Sequence, residues 1–226
     1  MQIISKSDFF LPISMQAEEK EISYTATNTF STLNSLTSKT KNVWLVFHGI
    51  GYLSRYFIRL FESFDKDENY FIAPQAPSKY YKGNDHRRVG SSWLTKENTQ
   101  PETKNVLRYV DAIVESEKIP EELNFIILGY SQGVSIATRW IASRKINCDT
   151  LIMVSGGFPK ELKKENFTFL TENTKITHIV GEKDPFFEIE KVEAEKKRVK
   201  QILPQIEFRT HNGGHELDVA SLKEIL

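Results

Sequence analysis

Cysteine is almost missing: Cys148 is the only one in 226 residues. A lone thiol closes no internal disulfide, and no Cys/His spacing resembles a zinc site, so the chain is neither a disulfide-stapled scaffold nor a zinc-built module. Cys148 reads as a small buried thiol at a strand start. Net charge is missing too, with thirty Lys and Arg against thirty Asp and Glu. That removes the electrostatic footprint of nucleic-acid or anionic-membrane binding, so no nucleic-acid partner is expected. Apolar runs such as Val43 to Phe47 are only strand-sized, too short for stable membrane insertion. Met1 to Phe10 has one Lys and no continuous apolar stretch with a small-residue cleavage site, which argues against a standard secretion signal and for a cytoplasmic location. Repeats, low-complexity tracts and Gly/Ser- or Pro-rich linkers are absent. A single domain over residues 1–226 is expected.

What the chain does have is 39% hydrophobic content, too much for a disordered polymer, and a regular alternation of strand and helix patterns. Glu21 to Phe30 mixes β-branched and aromatic residues with polar ones, as an edge strand does, and Ser31 to Asn42 reads as its turn. Val43 to Phe47 is a central strand covered on both faces, ending at His48-Gly49-Ile50-Gly51. Ser54 can cap a helix carrying Phe57, Leu60, Phe61 and Phe64. Tyr70 to Ala73 is a strand, and Ser78 to Thr99 is an aperiodic loop that shapes a pocket. A helix with Val106, Val110 and Ile113 on one face follows and stops before Pro120. Leu123 to Leu128, Thr150 to Val154, Lys175 to Val180 and Gln205 to Thr210 are further strands. Helices run to Trp140, from Glu190 to Leu203 with Val192, Val199 and Ile202 inward, and from Glu216 to Leu226. This alternation implies an α/β fold with a mostly parallel sheet and helices on both faces, binding ligands at the carboxyl ends of the strands.

Gly129-Tyr130-Ser131-Gln132-Gly133 fits G-x-S-x-G where a strand turns into a helix. A serine hydroxyl is a weak nucleophile, and a strained turn lifts it above the sheet while the glycines let strand and helix approach. The same turn aims the Gln132 N–H at the place where a tetrahedral oxyanion forms. A base and an orienter follow such a serine in the order acid, then histidine. Asp184 and His215 stand in that order, each just beyond a strand. Glu182 is a weaker candidate acid, lacking the Asp-Pro step. His211 is the rival base, held at a strand end. His178 reads as structural, His86 as an exposed loop residue, and His48 as shaping its turn through hydrogen bonds. That turn supplies the second oxyanion donor, the Ile50 N–H, with a plain glycine-rich turn as the alternative.

With these residues the chain resembles the α/β-hydrolase superfamily, within it the small carboxylesterases, lysophospholipases and acyl-protein thioesterases that lack a large cap domain. The resemblance is carried by Phe47-His-Gly-Ile-Gly51, Pro74-Gln-Ala-Pro77, Ser92-Trp93, Gly129 to Gly133, Ser155-Gly156, Gly181 to Pro185 and Gly214-His215. It implies a three-layer sandwich, a triad of Ser131, Asp184 and His215, oxyanion donors at Ile50 and Gln132, and hydrolysis of esters or thioesters through an acyl-enzyme without cofactor or metal. Two features depart from the family pattern: Tyr52 stands where an acidic residue is frequent, and a charged run covers Lys160 to Glu165.

Tyr52, Trp93, Phe158 and Phe186 lie in loops expected around Ser131 and are candidates for an apolar acyl pocket, or else for plain core. Short connections leave no room for a cap, so an open cleft and small or flexible substrates are expected, in a monomer or homodimer. The leading reading is a serine carboxylesterase for small or short-to-medium acyl groups. Its alternatives are a thioesterase or lysophospholipase of the same mechanism and, from another class, a non-catalytic member of the fold that binds a ligand or a protein.

Overall fold

Strands that are apolar at every position are stable only between two covering layers. The computed structural model describes residues 18–186 and 189–225, the side chains of 189–192 excepted. Its main sheet contains β1 (Phe30–Leu33), β2 (Asn42–Phe47), β3 (Asn69–Pro74), β6 (Asn124–Tyr130), β7 (Thr150–Val154), β8 (Lys175–Gly181) and β9 (Glu207–His211), in the order β1-β3-β2-β6-β7-β8-β9. β1 runs antiparallel to β3 at the edge, and all the other pairs are parallel. A separate antiparallel ribbon joins β4 (Ser78–Lys82) to β5 (Arg88–Ser92). The helices are α1 (Ser54–Phe57), α2 (Thr99–Glu117), α3 (Gln132–Arg144), α4 (Ile189–Ile202) and α5 (Val219–Lys223).

Successive residues of a strand point to opposite faces, and the two resulting cores divide accordingly. Val43, Leu45, Phe47, Ile127 and Met153 face α2, α3 and α4, meeting Val110, Ala137, Trp140 and Val199. Trp44, Val46, Leu128 and Ile152 face α1 and α5, meeting Phe57, Phe61 and Leu222. Trp44 stacks on Phe71 at 5.3 Å between ring centroids, and its indole N–H donates to Asn69 Oδ1 at 3.0 Å, so the ring is buried without an orphaned donor. The result is a three-layer α/β sandwich, and the described residues hold no inserted cap domain.

Chain order decides where a ligand can sit. From β2 the chain moves to β3 on one side, and β6 then takes the other side of β2. That reversal opens a crevice at the carboxyl ends of β2 and β6, where the turns His48–Gly51 and Ser131 lie.

Several local expectations need correction. Residues 21–29 form no strand, and Ile22 and Tyr24 are 88% and 83% exposed. The edge strand is β1, which keeps only Phe30 of the expected strand and otherwise lies in the stretch read as a turn, because β3 offers a partner only opposite Phe30 to Leu33. Ser54 does not cap α1: Leu53 holds that position, and the Ser54 hydroxyl instead bonds Ser31 Oγ at 2.9 Å. α1 lasts one turn and tightens into a 3₁₀ turn over Ile58–Phe61, which leaves Leu60 outside the core while Phe57, Phe61 and Phe64 are buried. Ser78 to Thr99 is no plain loop, since it contains the β4–β5 ribbon and the start of α2; the exposed β4 has no buried face to give it a period-two pattern. The last helix shrinks to α5, capped by Asp218 accepting from Ser221 N–H at 3.0 Å. Cys148 is buried before β7, and burial pushes its thiol up to about 12. The readings of Met1 to Phe10 and of the Val192 side chain lie outside the described residues.

α3 crosses the end of β2 so closely that a Cβ on Gly133 would overlap the Phe47 carbonyl, whereas one on Gly157 would meet nothing within 4 Å. Gly133→Ala should therefore cost about 2 kcal/mol or more, and Gly157→Ala about 0.5 kcal/mol or less. Urea unfolding of the two variants tests the contrast, and equal stabilities would contradict the crossing.

Candidate active site

Ser131 occupies the single residue between β6 and α3, with φ 53° and ψ −119°. A non-glycine residue rarely adopts this conformation, which costs of order 1–3 kcal/mol and persists only where its surroundings enforce it. Here the Ser131 N–H donates to Val154 O at 2.8 Å and its carbonyl accepts from Val134 N–H at 3.1 Å.

Asp184 and His215 arrive on the loops after β8 and β9, which are joined along their backbones. Glu182 N–H donates to His211 O at 3.0 Å and Lys183 N–H to Gly213 O at 2.8 Å. Gly181 permits this approach, because a Cβ there would lie 2.6 Å from the Gly213 carbonyl oxygen. The Asp184 side chain is fully buried: Oδ1 accepts from Phe186 N–H at 3.0 Å, and Oδ2 from His215 Nδ1–H at 2.7 Å. His215 Nε2 in turn lies 2.9 Å from Ser131 Oγ, positioned to accept its proton. The structure thus brings Ser131, His215 and Asp184 into one hydrogen-bonded row. Tyr130 adds a tie the sequence reading missed, its hydroxyl donating to His215 O at 2.7 Å. Burial, followed by the neighbouring Tyr52, Asp184 and Glu216, raises the Tyr130 phenol above its ordinary range and keeps it a donor.

The turn after β2 lies against the serine. A Cβ on Gly49 would be 3.1 Å from Ser131 Cβ. The Ile50 N–H has no backbone acceptor among the described residues, and the Gln132 N–H stands in the first turn of α3, where helices supply no acceptor. His48 holds the turn as read: its Nδ1–H donates to Gly49 O at 2.8 Å and its Nε2 accepts from Ala76 N–H at 3.2 Å. Burial lowers this ring to about 4, against a smaller opposing effect of the Gly49 bond, and so favours the neutral imidazole.

Two glutamine side chains complete the scaffold. Gln132 accepts from Trp93 N–H at 2.8 Å and donates to Leu94 O at 2.7 Å. Gln75 accepts from Ser54 N–H at 3.0 Å and donates to Ser91 Oγ at 2.7 Å; that hydroxyl donates onward to Tyr52 O at 2.7 Å. The signal for Gln75 was an amide between two prolines in Pro74-Gln-Ala-Pro77. Nothing local marks Ser91.

The four aromatic pocket candidates separate. Phe186 is 75% exposed and sets its ring edge against His215 at 4.7 Å, and Tyr52 lies edge-on to Tyr130 at 5.9 Å. Trp93 and Phe158 are core residues, 0% and 3% exposed, and line no open surface. Trp93 donates its indole N–H to His48 O at 2.8 Å, and Phe158 packs on Phe167. Glu182 accepts from the Thr210 hydroxyl at 3.0 Å rather than meeting His215. His211 has no side-chain bond to the serine, His86 is exposed on the ribbon, and His178 is buried in β8 beside Phe208. Among the described residues, no group of three His, Cys, Asp or Glu side chains could hold a metal ion, and no helix is long and apolar enough to cross a membrane.

A model of the phospholipase/carboxylesterase family matches residues 28–226. Among solved structures, the chain is similar to acyl-protein thioesterase 2 of Zea mays, with 14% identity over 88% of this chain and 96% of that one and a TM-score of 0.66. It is also similar to esterase PE8 (19% identity, 89% and 100% coverage, TM-score 0.65) and to a phospholipase/carboxylesterase from Dyadobacter fermentans (19%, 90% and 96%, 0.59). No curated protein gave a significant match.

His48 and His178 are both lowered by burial to about 4. The unfolded chain protonates each ring near 6.5 and the folded chain only near 4, so acid in that window favours unfolding by about 1.4 kcal/mol per pH unit per ring. Urea stability should fall by about 3–4 kcal/mol between pH 7.5 and pH 5. A flat profile would contradict the neutral burial of the two rings.

Proposed function

The chain belongs to the phospholipase/carboxylesterase family, a family of esterase-type hydrolases, and on that premise we propose that it is a serine carboxylesterase acting through an acyl-enzyme on Ser131. The observation that carries this reading is the row of two hydrogen bonds, 2.7 and 2.9 Å, joining Asp184, His215 and Ser131 from three separate loops.

In the proposed reaction, Ser131 Oγ attacks the ester carbonyl carbon while its proton passes to His215 Nε2. Asp184 keeps its bond to Nδ1–H and stabilises the imidazolium. The N–H groups of Ile50 and Gln132 receive the developing oxyanion, a task for which preorganised donors are each worth about a hundredfold to a thousandfold in rate. Collapse of the tetrahedral intermediate breaks the ester C–O bond, and the leaving alkoxide takes the proton from His215 Nε2. Water, deprotonated by His215, then attacks the acyl-enzyme; the acid departs and Ser131 regains its proton.

Phe186 and Tyr52 at the mouth suit small or short-to-medium acyl groups. A thioester would react by the same steps, a reading that the named activity of the maize neighbour supports.

Ser131→Ala and His215→Ala should each lower kcat/KM on 4-nitrophenyl acetate by about four to six orders of magnitude with the fold intact by circular dichroism. A fluorophosphonate probe should label the native protein at Ser131 and leave Ser131→Ala untouched. Native protein that stays unlabelled and inert would instead favour a non-catalytic, ligand-binding member of the family.

A further inference from the structure

The zero net charge of the chain conceals a local imbalance. The β4–β5 ribbon, Ser78 to Ser92, carries Lys79, Lys82, Arg87 and Arg88 against one carboxylate, Asp85. Asp85 Oδ1 accepts from the Arg87 backbone N–H at 3.2 Å. Elsewhere Lys39, Lys41, Arg139 and Arg144 lie within 3.2 Å of carboxylates. None of the four ribbon cations has such a partner among the described residues. Their side chains are exposed, and no described carboxylate compensates their positive charge.

The ribbon is fastened to the turn that carries the proposed oxyanion donor. Gly51 N–H donates to Ser91 O at 2.7 Å, and a Cβ on Gly90 would lie 2.9 Å from the Gly51 backbone. Lys82 folds back over this joint. Its Nζ donates to Gly51 O at 3.3 Å, and a Cβ placed on Gly51 would lie 3.3 Å from that ammonium and 3.6 Å from the Tyr80 hydroxyl. An ammonium has three donors, and one carbonyl occupies only one of them. A cation with spare donors and a phenol hydroxyl therefore stand one residue away from Ile50.

We infer that the β4–β5 ribbon selects esters that carry an anionic group, a carboxylate or a phosphate, with Lys82 meeting the anion and Lys79, Arg87 and Arg88 supplying the surrounding field. The inference rests on the serine-hydrolase reading and adds a substrate class to it.

Two matched pairs of esters separate the sides of the substrate on which the anion can stand. For the leaving group they are 4-acetoxybenzoate and 4-acetoxybenzamide. For the acyl group they are mono-4-nitrophenyl glutarate and 4-nitrophenyl pentanoate. The readout is the anionic-to-neutral ratio of kcat/KM, because losing the Lys82 bond to Gly51 O slows both members of a pair alike. For at least one pair, Lys82→Gln should lower the ratio roughly twofold to fivefold and Lys82→Glu more, the range expected of a partly exposed charge pair. Raising salt from about 0.02 to about 0.5 M should shrink the native ratio toward that of Lys82→Gln. Ratios for both pairs that ignore both substitutions would overturn the inference, while labelling of Ser131 and turnover of the neutral esters would leave the serine-hydrolase reading standing. No turnover of any ester and no labelling would overturn both.

Discussion

β6 and α3 meet at an angle that leaves no space for side chains at the crossing, and the geometry of the site follows from that contact. Gly129 lies against the Val134 backbone and Gly133 against the end of β2. With the helix this close, the one residue left to reverse the chain is forced to positive φ, and Ser131 takes that place. The strain is local, and it is held by ladder hydrogen bonds to β7 and by two apolar cores. The same contact brings the turn after β2 beside the serine, because helix and turn both pack on the carboxyl end of β2.

Around this crossing, buried polar side chains act as fixed props. Burying a hydrogen-bonding group costs free energy unless its partners are supplied, and for His48, Gln75 and Gln132 they are supplied. His48 uses both ring nitrogens, and the amides of Gln75 and Gln132 each bond at both ends. Asp184 illustrates the same rule for a charge: its fully buried carboxylate accepts from an imidazole N–H and a backbone N–H. These bonds link α1, the start of α3, the ribbon and the segment just after it, and the turns after β2 and β3, so the turns flanking Ser131 are held from several directions.

The legible features were those with strong local signatures. Continuous apolar runs such as Val43 to Phe47 announced the central strands, and G-x-S-x-G announced the turn at Ser131. The order of Asp184 and His215 after their strands pointed to the residues that the structure brings together. Patterns without a buried face misled: the alternation in residues 21–30 looked like an edge strand, and the wholly exposed β4 looked like a loop. Trp93 and Phe158 show the remaining gap, since an aromatic ring in a loop near the site has the same local sequence whether it lines a mouth or fills a core. Tyr130 is similar, because the motif marks its position and not the distant carbonyl its hydroxyl reaches.

By itself the sequence determined which residues could form strands, helices and tight turns, and which side chains had reactive chemistry. Periodicity, glycine placement and side-chain type are properties of neighbours along the chain. Tertiary structure alone decided how close His215 came to the serine, which aromatic rings reached solvent, and where four cations without a carboxylate partner among the described residues gathered in a chain of zero net charge. Those outcomes depend on the order of strands in the sheet and on contacts between residues dozens of positions apart, where burial and distance set the strength of each interaction.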